Sequence, residues 1–161
     1  MDELKFAVIG NPVSHSLSPD IHLFFASQFQ LERYTYNKIK SNENDFERDI
    51  NDFFKNGGVG LNVTVPFKGL AYNLCDELDQ SAGLCKSVNT VLIDSGKLIG
   101  HSTDGQGLID DFLHKEITLE DSKILIIGAG GSAASIISSL LSHGKIKEIS
   151  ILNRTKSNAL R

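Results

Sequence analysis

Lys68 and Asp104 are the side chains of this 161-residue chain best suited to moving a proton. Lys68 ends the run Val59-Gly60-Leu61-Asn62-Val63-Thr64-Val65-Pro66-Phe67-Lys68, and Asp104 sits in Ser102-Thr103-Asp104-Gly105. A carboxylate beside a lysine holds the ammonium in place and tunes its proton transfer. Taken singly, Lys68 reads as a surface lysine after a strand and Asp104 as a helix cap. Their neighbours change that reading. Asn62 and Thr64 share one face of the strand that leads to Lys68, and Asn89 supplies an amide nearby. Ser14-His15-Ser16-Leu17-Ser18-Pro19 opens a helix, with Ser18 expected as N-cap and Pro19 in the first helical position. An N-terminus dressed with hydroxyls also suits a carboxylate, because free N–H groups and the helix dipole favour an anion. His15 lies in the same loop as a supporting group.

A second chemical signal is Lys123-Ile124-Leu125-Ile126-Ile127-Gly128-Ala129-Gly130-Gly131-Ser132-Ala133. A buried apolar strand is expected to run into glycines and then a helix that Gly144 closes. Ala134, Ile137, Leu140 and Leu141 are expected on that helix's inner face. The pattern Gly-x-Gly-Gly-x-Ala approximates a dinucleotide fingerprint; alone it is weak, but the strand before and helix after are the right context. Glycines there let a backbone approach a pyrophosphate at the helix N-terminus. The next strand, Glu148 to Leu152, ends in Asn153-Arg154-Thr155-Lys156. No acid stands where an NAD ribose would want one, and the basic pair favours the 2′-phosphate of NADP.

These groups need elements to position them. Phe6 to Ile9 reads as a strand, and Ile21, Phe24, Phe25 and Phe29 share a face of the helix after it. Arg33 to Ile39 reads as a second strand, with Tyr34 and Tyr36 on one face. Phe46, Ile50, Phe53 and Phe54 stripe a helix from Glu43 to Lys55, closed by Asn56-Gly57-Gly58. The phenylalanines are expected as core. Val59, Leu61, Val63 and Val65 alternate as a strand. Asn89 to Ile99 forms a hairpin turning at Ser95-Gly96. The order βαβαβ predicts a largely parallel first sheet with an antiparallel pair added. A helix from Gly105 to His114 follows, and the domain boundary falls near Asp104, so Lys68 and Asp104 face an interdomain cleft. His22 reads as a polar contact, and His101, His114 and His143 as surface residues.

The segments at Ser14–Pro19, Asn62–Lys68, Ser102–Gly105 and Gly128–Ala133 together resemble the shikimate dehydrogenase family, in the family's order, from Phe6 to the end of the chain. The resemblance implies an NADP-dependent enzyme that interconverts 3-dehydroshikimate and shikimate on the way to chorismate and aromatic amino acids. By it, Lys68 and Asp104 are the catalytic pair. Ser16, Ser18, Thr64, Lys68, Asn89 and Asp104 line the shikimate pocket, with the serines on the carboxylate. Gly128, Ala129, Gly130, Gly131 and Ser132 cradle the pyrophosphate, and Asn153, Arg154 and Thr155 hold the adenosine phosphate end.

The implied fold is α/β. A mixed, largely parallel substrate-domain sheet flanked by helices spans 1–103, and the first βαβ of a Rossmann-like NADP domain spans 104–161. Family members complete that nucleotide sheet and return a C-terminal helix with a substrate-binding glutamine to the first domain. The chain is therefore expected to be a fragment, with doubtful activity alone. Some positions depart from the family pattern. Ser102 replaces an asparagine, Lys86-Ser87 stand where Gly-Ala is commoner, and Gly69 replaces a helix former. Asn158 sits where many members carry a basic phosphate contact, for which Lys156 or Arg161 would compensate. An NAD-dependent quinate/shikimate dehydrogenase is a second reading, against which Arg154 argues. A non-catalytic shikimate-binding module is a third, and a plain nucleotide-binding scaffold the weakest.

Composition limits the partners. The net charge of −4 and the absence of long charge runs point away from nucleic acid and anionic membranes. The start is charged, with an apolar run too short for a signal peptide or membrane span. Cys75 and Cys85 form no CxxC and no metal-binding cluster, and read as thiols of a reducing, cytoplasmic compartment. A small-molecule substrate is expected, and a homodimer is compatible with the sequence.

Overall fold

The structure, a computed structural model, describes residues 3–160. Its larger sheet has six strands: β1 (Leu4–Gly10), β2 (Tyr34–Lys40), β3 (Gly58–Val63), β4 (Glu77–Leu78), β5 (Thr90–Asp94) and β6 (Lys97–His101). Their spatial order is β2-β1-β3-β5-β6-β4. β1 runs parallel to β2 and β3, and β5 is antiparallel to β3 and β6. This is the mixed, largely parallel sheet expected. Ser95 and Gly96 both take positive φ in the turn between β5 and β6, a twist that suits a two-residue hairpin.

Alternation along the strands divides the core into two layers. Ala7, Ile9, Leu61, Val63 and Val91 face one way, against Phe46, Ile50 and Phe54 of α2 (Phe46–Lys55). Ala71 of α3 (Lys68–Leu74) and Ala82 of α4 (Gln80–Cys85) close the same layer. Phe6, Val8, Tyr34 and Tyr36 face the other way, under α1 (Ser18–Gln28). Sequence periodicity did not reveal α3, β4 or α4, which are too short to show a period.

Several local expectations are corrected. α1 turns inward its Ala26 and the half-buried His22, which stacks on Tyr36 at 4.2 Å. Ile21, Phe24, Phe25 and Phe29 are exposed instead; spacing shows that residues share a face, not which face meets the sheet. α2 begins at Phe46 rather than Glu43, because the Asn42 side chain accepts from the N–H groups of Asn44 and Asp45. β3 ends at Val63, leaving Val65 exposed. His101 is half-buried, its Nδ1 3.1 Å from Asp79 Oδ2.

The smaller sheet pairs β7 (Lys123–Ile127) with β8 (Glu148–Leu152) in parallel, joined by α6 (Gly131–His143). α5 (Asp104–His114) packs against α6. Ile109, Leu119 and Leu140 form the core here, with Ile124, Ile126, Ile136 and Ile149 around them. Leu141 is exposed, and the buried companion of Leu140 on α6 is Ser135. Gly144 ends α6 at φ 75°. β7 buries one face only: Leu125 and Ile127 are exposed. The last element, α7, covers Lys156–Ala159. Arg161 and the Asn158 side chain lie outside the described residues.

Candidate active site

Lys68 is placed from both sides. Phe67, 1% exposed and packed on the Phe46 ring, anchors the backbone just before it; burying such a ring contributes about 1.5–3 kcal/mol. The Lys68 carbonyl accepts from the N–H of Val88, next to Asn89. Lys68 is the first residue of α3, five positions past the strand that predicts it, with its side chain largely buried.

Its Nζ donates to Asp104 Oδ2 at 2.5 Å and to Ser132 Oγ at 2.8 Å. Asp104 is the first residue of α5, and its carboxylate is spent on Lys68 and Asn89 rather than on capping. Asn89 Nδ2 donates to Asp104 Oδ1 at 2.6 Å and to Thr103 Oγ1 at 2.9 Å. Burial alone would raise the Asp104 pKa. The hydrogen bond and charge of Lys68, with Asn89 and Ser132, outweigh it and hold the carboxyl below its usual value.

Ser16 and Ser18 meet at the start of α1. Ser16 donates to Ser18 Oγ at 3.1 Å and accepts from the Ser18 N–H at 3.2 Å. Ser18 is therefore inside the helix, Leu17 is the N-cap residue, and Ser16 does the capping expected of Ser18. Thr64 follows β3, its N–H bonded to the Ile9 carbonyl. Asn62, expected on the face of Thr64, links the two groups together with Tyr36 and Thr90, which the sequence does not point to. Tyr36 Oη donates to Asn62 Oδ1 at 2.7 Å, and Asn62 Nδ2 donates to Thr90 Oγ1 at 3.2 Å. The signal for Asn62 was its shared strand face with Thr64. Tyr36 needs the register that sets Phe6 beside Tyr36 and Val8 beside Asn62, which sequence does not print.

The glycine turn abuts Lys68. A Cβ at Gly131 would stand 2.6 Å from Ser87 Oγ and 3.1 Å from Lys68 Cβ, so a side chain there would have to displace Ser87 and press on Lys68. Gly128 has φ 113°, a value that disfavours side chains, and its N–H bonds the Leu152 carbonyl of β8. A Cβ at Gly128 or Gly130 would meet nothing within 4 Å, leaving open space before the N-terminus of α6. The first-turn N–H groups of a helix have no intrahelical partners and carry the positive end of its dipole. Asn153 Nδ2 bonds the Thr155 carbonyl, and Arg154 is exposed beside them after β8. These residues fit a dinucleotide with a phosphorylated adenosine end. Among the described residues no cluster of His, Cys, Asp and Glu is arranged to hold a metal ion.

Comparison with known proteins bears on this arrangement. Residues 8–91 match the shikimate dehydrogenase substrate binding domain. The chain belongs to the shikimate dehydrogenase family. Residues 111–161 match the shikimate / quinate 5-dehydrogenase family. The NADP(+) shikimate dehydrogenase of Acinetobacter baylyi is 43% identical over 155 residues, covering 96% of this chain and 58% of the relative. The chain thus spans somewhat over half the length of the curated relatives it matches. Shikimate dehydrogenase from Thermus thermophilus, solved with NADP(H) and shikimate, superposes with a TM-score of 0.88 at 32% identity. That match covers 98% of this chain and 58% of the other. The Listeria monocytogenes enzyme, solved with shikimate and NAD, matches at TM-score 0.88 and 32% identity, over 98% and 55%.

Proposed function

We propose that this chain carries the substrate pocket, the proton-transfer pair and the first part of the cofactor site of an NADP-dependent shikimate dehydrogenase. Residues 1–103 form the shikimate-binding domain and 104–161 the beginning of the nucleotide domain. The observation that carries this reading is the meeting of Lys68, Asp104, Asn89 and Ser132 where the two sheets adjoin.

When bound, the nicotinamide supplies the hydride that reaches the ketone carbon of 3-dehydroshikimate. The chain's own residues bind, orient and handle the proton. Lys68 donates a proton from Nζ to the ketone oxygen and stabilises charge developing there. Asp104 holds Nζ in place and accepts from a ring hydroxyl, and Asn89 fixes the carboxylate. Ser16 and Ser18 bind the substrate carboxylate, and Thr64 lines the mouth. Gly128 to Ser132 hold the pyrophosphate on the N-terminus of α6, while Asn153, Arg154 and Thr155 hold the adenosine 2′-phosphate. The reading places the protein in the cytoplasm, where Cys75 and Cys85 stay reduced. No helix among the described residues is long and apolar enough to cross a membrane.

The test joins this chain to the C-terminal portion of the Acinetobacter baylyi relative and follows reduced-cofactor absorbance with shikimate and NADP+ or NAD+. Faster turnover with NADP+ is expected. Faster turnover with NAD+ would instead favour the NAD-dependent quinate/shikimate reading, which the cofactor of the Listeria monocytogenes structure keeps open. No turnover with either, while shikimate still binds, would leave a binding module.

A further inference from the structure

Tyr36 has no part in the chemistry described above, yet a chain of polar contacts across the pocket starts at its hydroxyl. The residue is 5% exposed, held between Val8, Val13 and the stacked ring of His22. Burial pushes its pKa up to about 12, with the Ser18 hydroxyl against it opposing the rise and Tyr34 adding to it. It therefore stays protonated through the neutral range, and with the Ser18 hydroxyl on its oxygen the phenol's own proton is left for Asn62. Its hydrogen bond goes to Asn62 Oδ1 at 2.7 Å. From there the donors run one way. Asn62 Nδ2 donates to Thr90 Oγ1 at 3.2 Å, Thr90 donates to Asn89 Oδ1 at 3.0 Å, and Asn89 Nδ2 donates to Asp104 Oδ1 at 2.6 Å.

A side-chain amide offers an acceptor at one end and two donors at the other, so whatever faces its oxygen decides which way it points. For Asn62 that partner is the phenol. With Oδ1 turned to Tyr36, Nδ2 must face Thr90, whose single proton then points to Asn89. Thr103 adds its N–H and hydroxyl to the same Asn89 oxygen. Asn89 is thus left presenting only donors to Asp104.

We propose that Tyr36 is a positioning residue of the pocket, acting through Asn62 to fix the orientation of the Asn89 amide on Asp104. This rests on the pocket reading given above, and the readouts separate the two. Tyr36→Phe keeps the ring and its stack on His22 while removing the donor. Side-chain amide resonances would be followed by NMR in this chain joined to the C-terminal portion of the Acinetobacter baylyi relative, free and during titration with shikimate. Wild type, Tyr36→Phe, Asn62→Ala and the double variant would be compared.

In free Tyr36→Phe, the amide signals of both Asn62 and Asn89 are expected to move, and Asn62→Ala alone should move Asn89. Shikimate affinity should fall about two- to tenfold in Tyr36→Phe, the range for one lost hydrogen bond. Most of that loss should vanish in the Asn62→Ala background, the non-additivity expected of coupled neighbours. A phenol that merely packs would leave Asn89 unmoved and the two losses additive, and either result overturns the proposal. Shikimate binding by wild type with equal affinity in Tyr36→Phe would overturn it while sparing the pocket. No binding by wild type would remove both.

Discussion

Asp104 shows how a single residue's surroundings decide its task. Its position before a helix suits a cap, but Lys68 and Asn89 take both carboxylate oxygens. Burial raises its pKa; the lysine, Asn89 and Ser132 more than reverse that. A carboxyl with a depressed folded pKa adds stability above its unfolded value, near 3.9, and loses it as pH falls through the folded one. Wild type should therefore exceed Asp104→Asn in urea-unfolding stability at pH 7. The gap should close as the pH is taken below about 4. A gap unchanged by acid would mean that the carboxylate is not held by charge. Sequence named Lys68 and Asp104 as a pair through their motifs; what it did not show is the direct contact that the fold makes between residues 36 positions apart, with Asn89 and Ser132 around it.

The elements explain why the site is assembled here. The start of α3 is pinned by Phe67 and Val88, and α5 is locked to α6 through buried serines. Ser102 donates to Ser135 Oγ at 2.8 Å, and Ser135 also accepts from the Gly105 N–H at 3.0 Å. Ser102, a departure from the family pattern, thereby ties the residue before Thr103-Asp104 to the helix that follows the glycine turn. Lys86, another departure, ends α4 at φ 50°, ψ 40°. That left-handed conformation burdens a side chain by about 1–2 kcal/mol, partly offset by glycine's greater chain entropy. Lys86 is exposed, so Lys86→Gly should stabilise the chain by about 0.5–1 kcal/mol in urea unfolding. A destabilised variant would show that the lysine side chain contributes more than its backbone costs. The long strands and helices were legible because period 2 and period 3.6 survive over several residues. α4 was not, since six residues give no period and its Asp79 cap reads equally as a loop residue.

Across the whole molecule, motif order was enough to recover the mixed sheet and the βαβ unit. Which way α1 faces was not legible, because Ala26 and His22 meet the sheet while its larger phenylalanines do not. The polar chain from Tyr36 to Asp104 was also out of reach, since it depends on strand register across β1, β3 and β5. The smaller sheet leaves Leu125, Ile127 and Leu152 exposed. Two strands rarely hold such a sheet alone in water. The two sheets nonetheless bring Lys68 to the glycine turn, and that meeting is the central claim. Lys68→Ala tests it most directly, in the chain joined to the C-terminal portion of the Acinetobacter baylyi relative. Turnover with shikimate and NADP+ should fall by about a hundred- to ten-thousand-fold, the contribution of a positioned acid–base group, with shikimate binding weakened far less. Such a group takes the proton in this direction and gives it back in the reverse. Unchanged turnover in Lys68→Ala would contradict the role given to this residue.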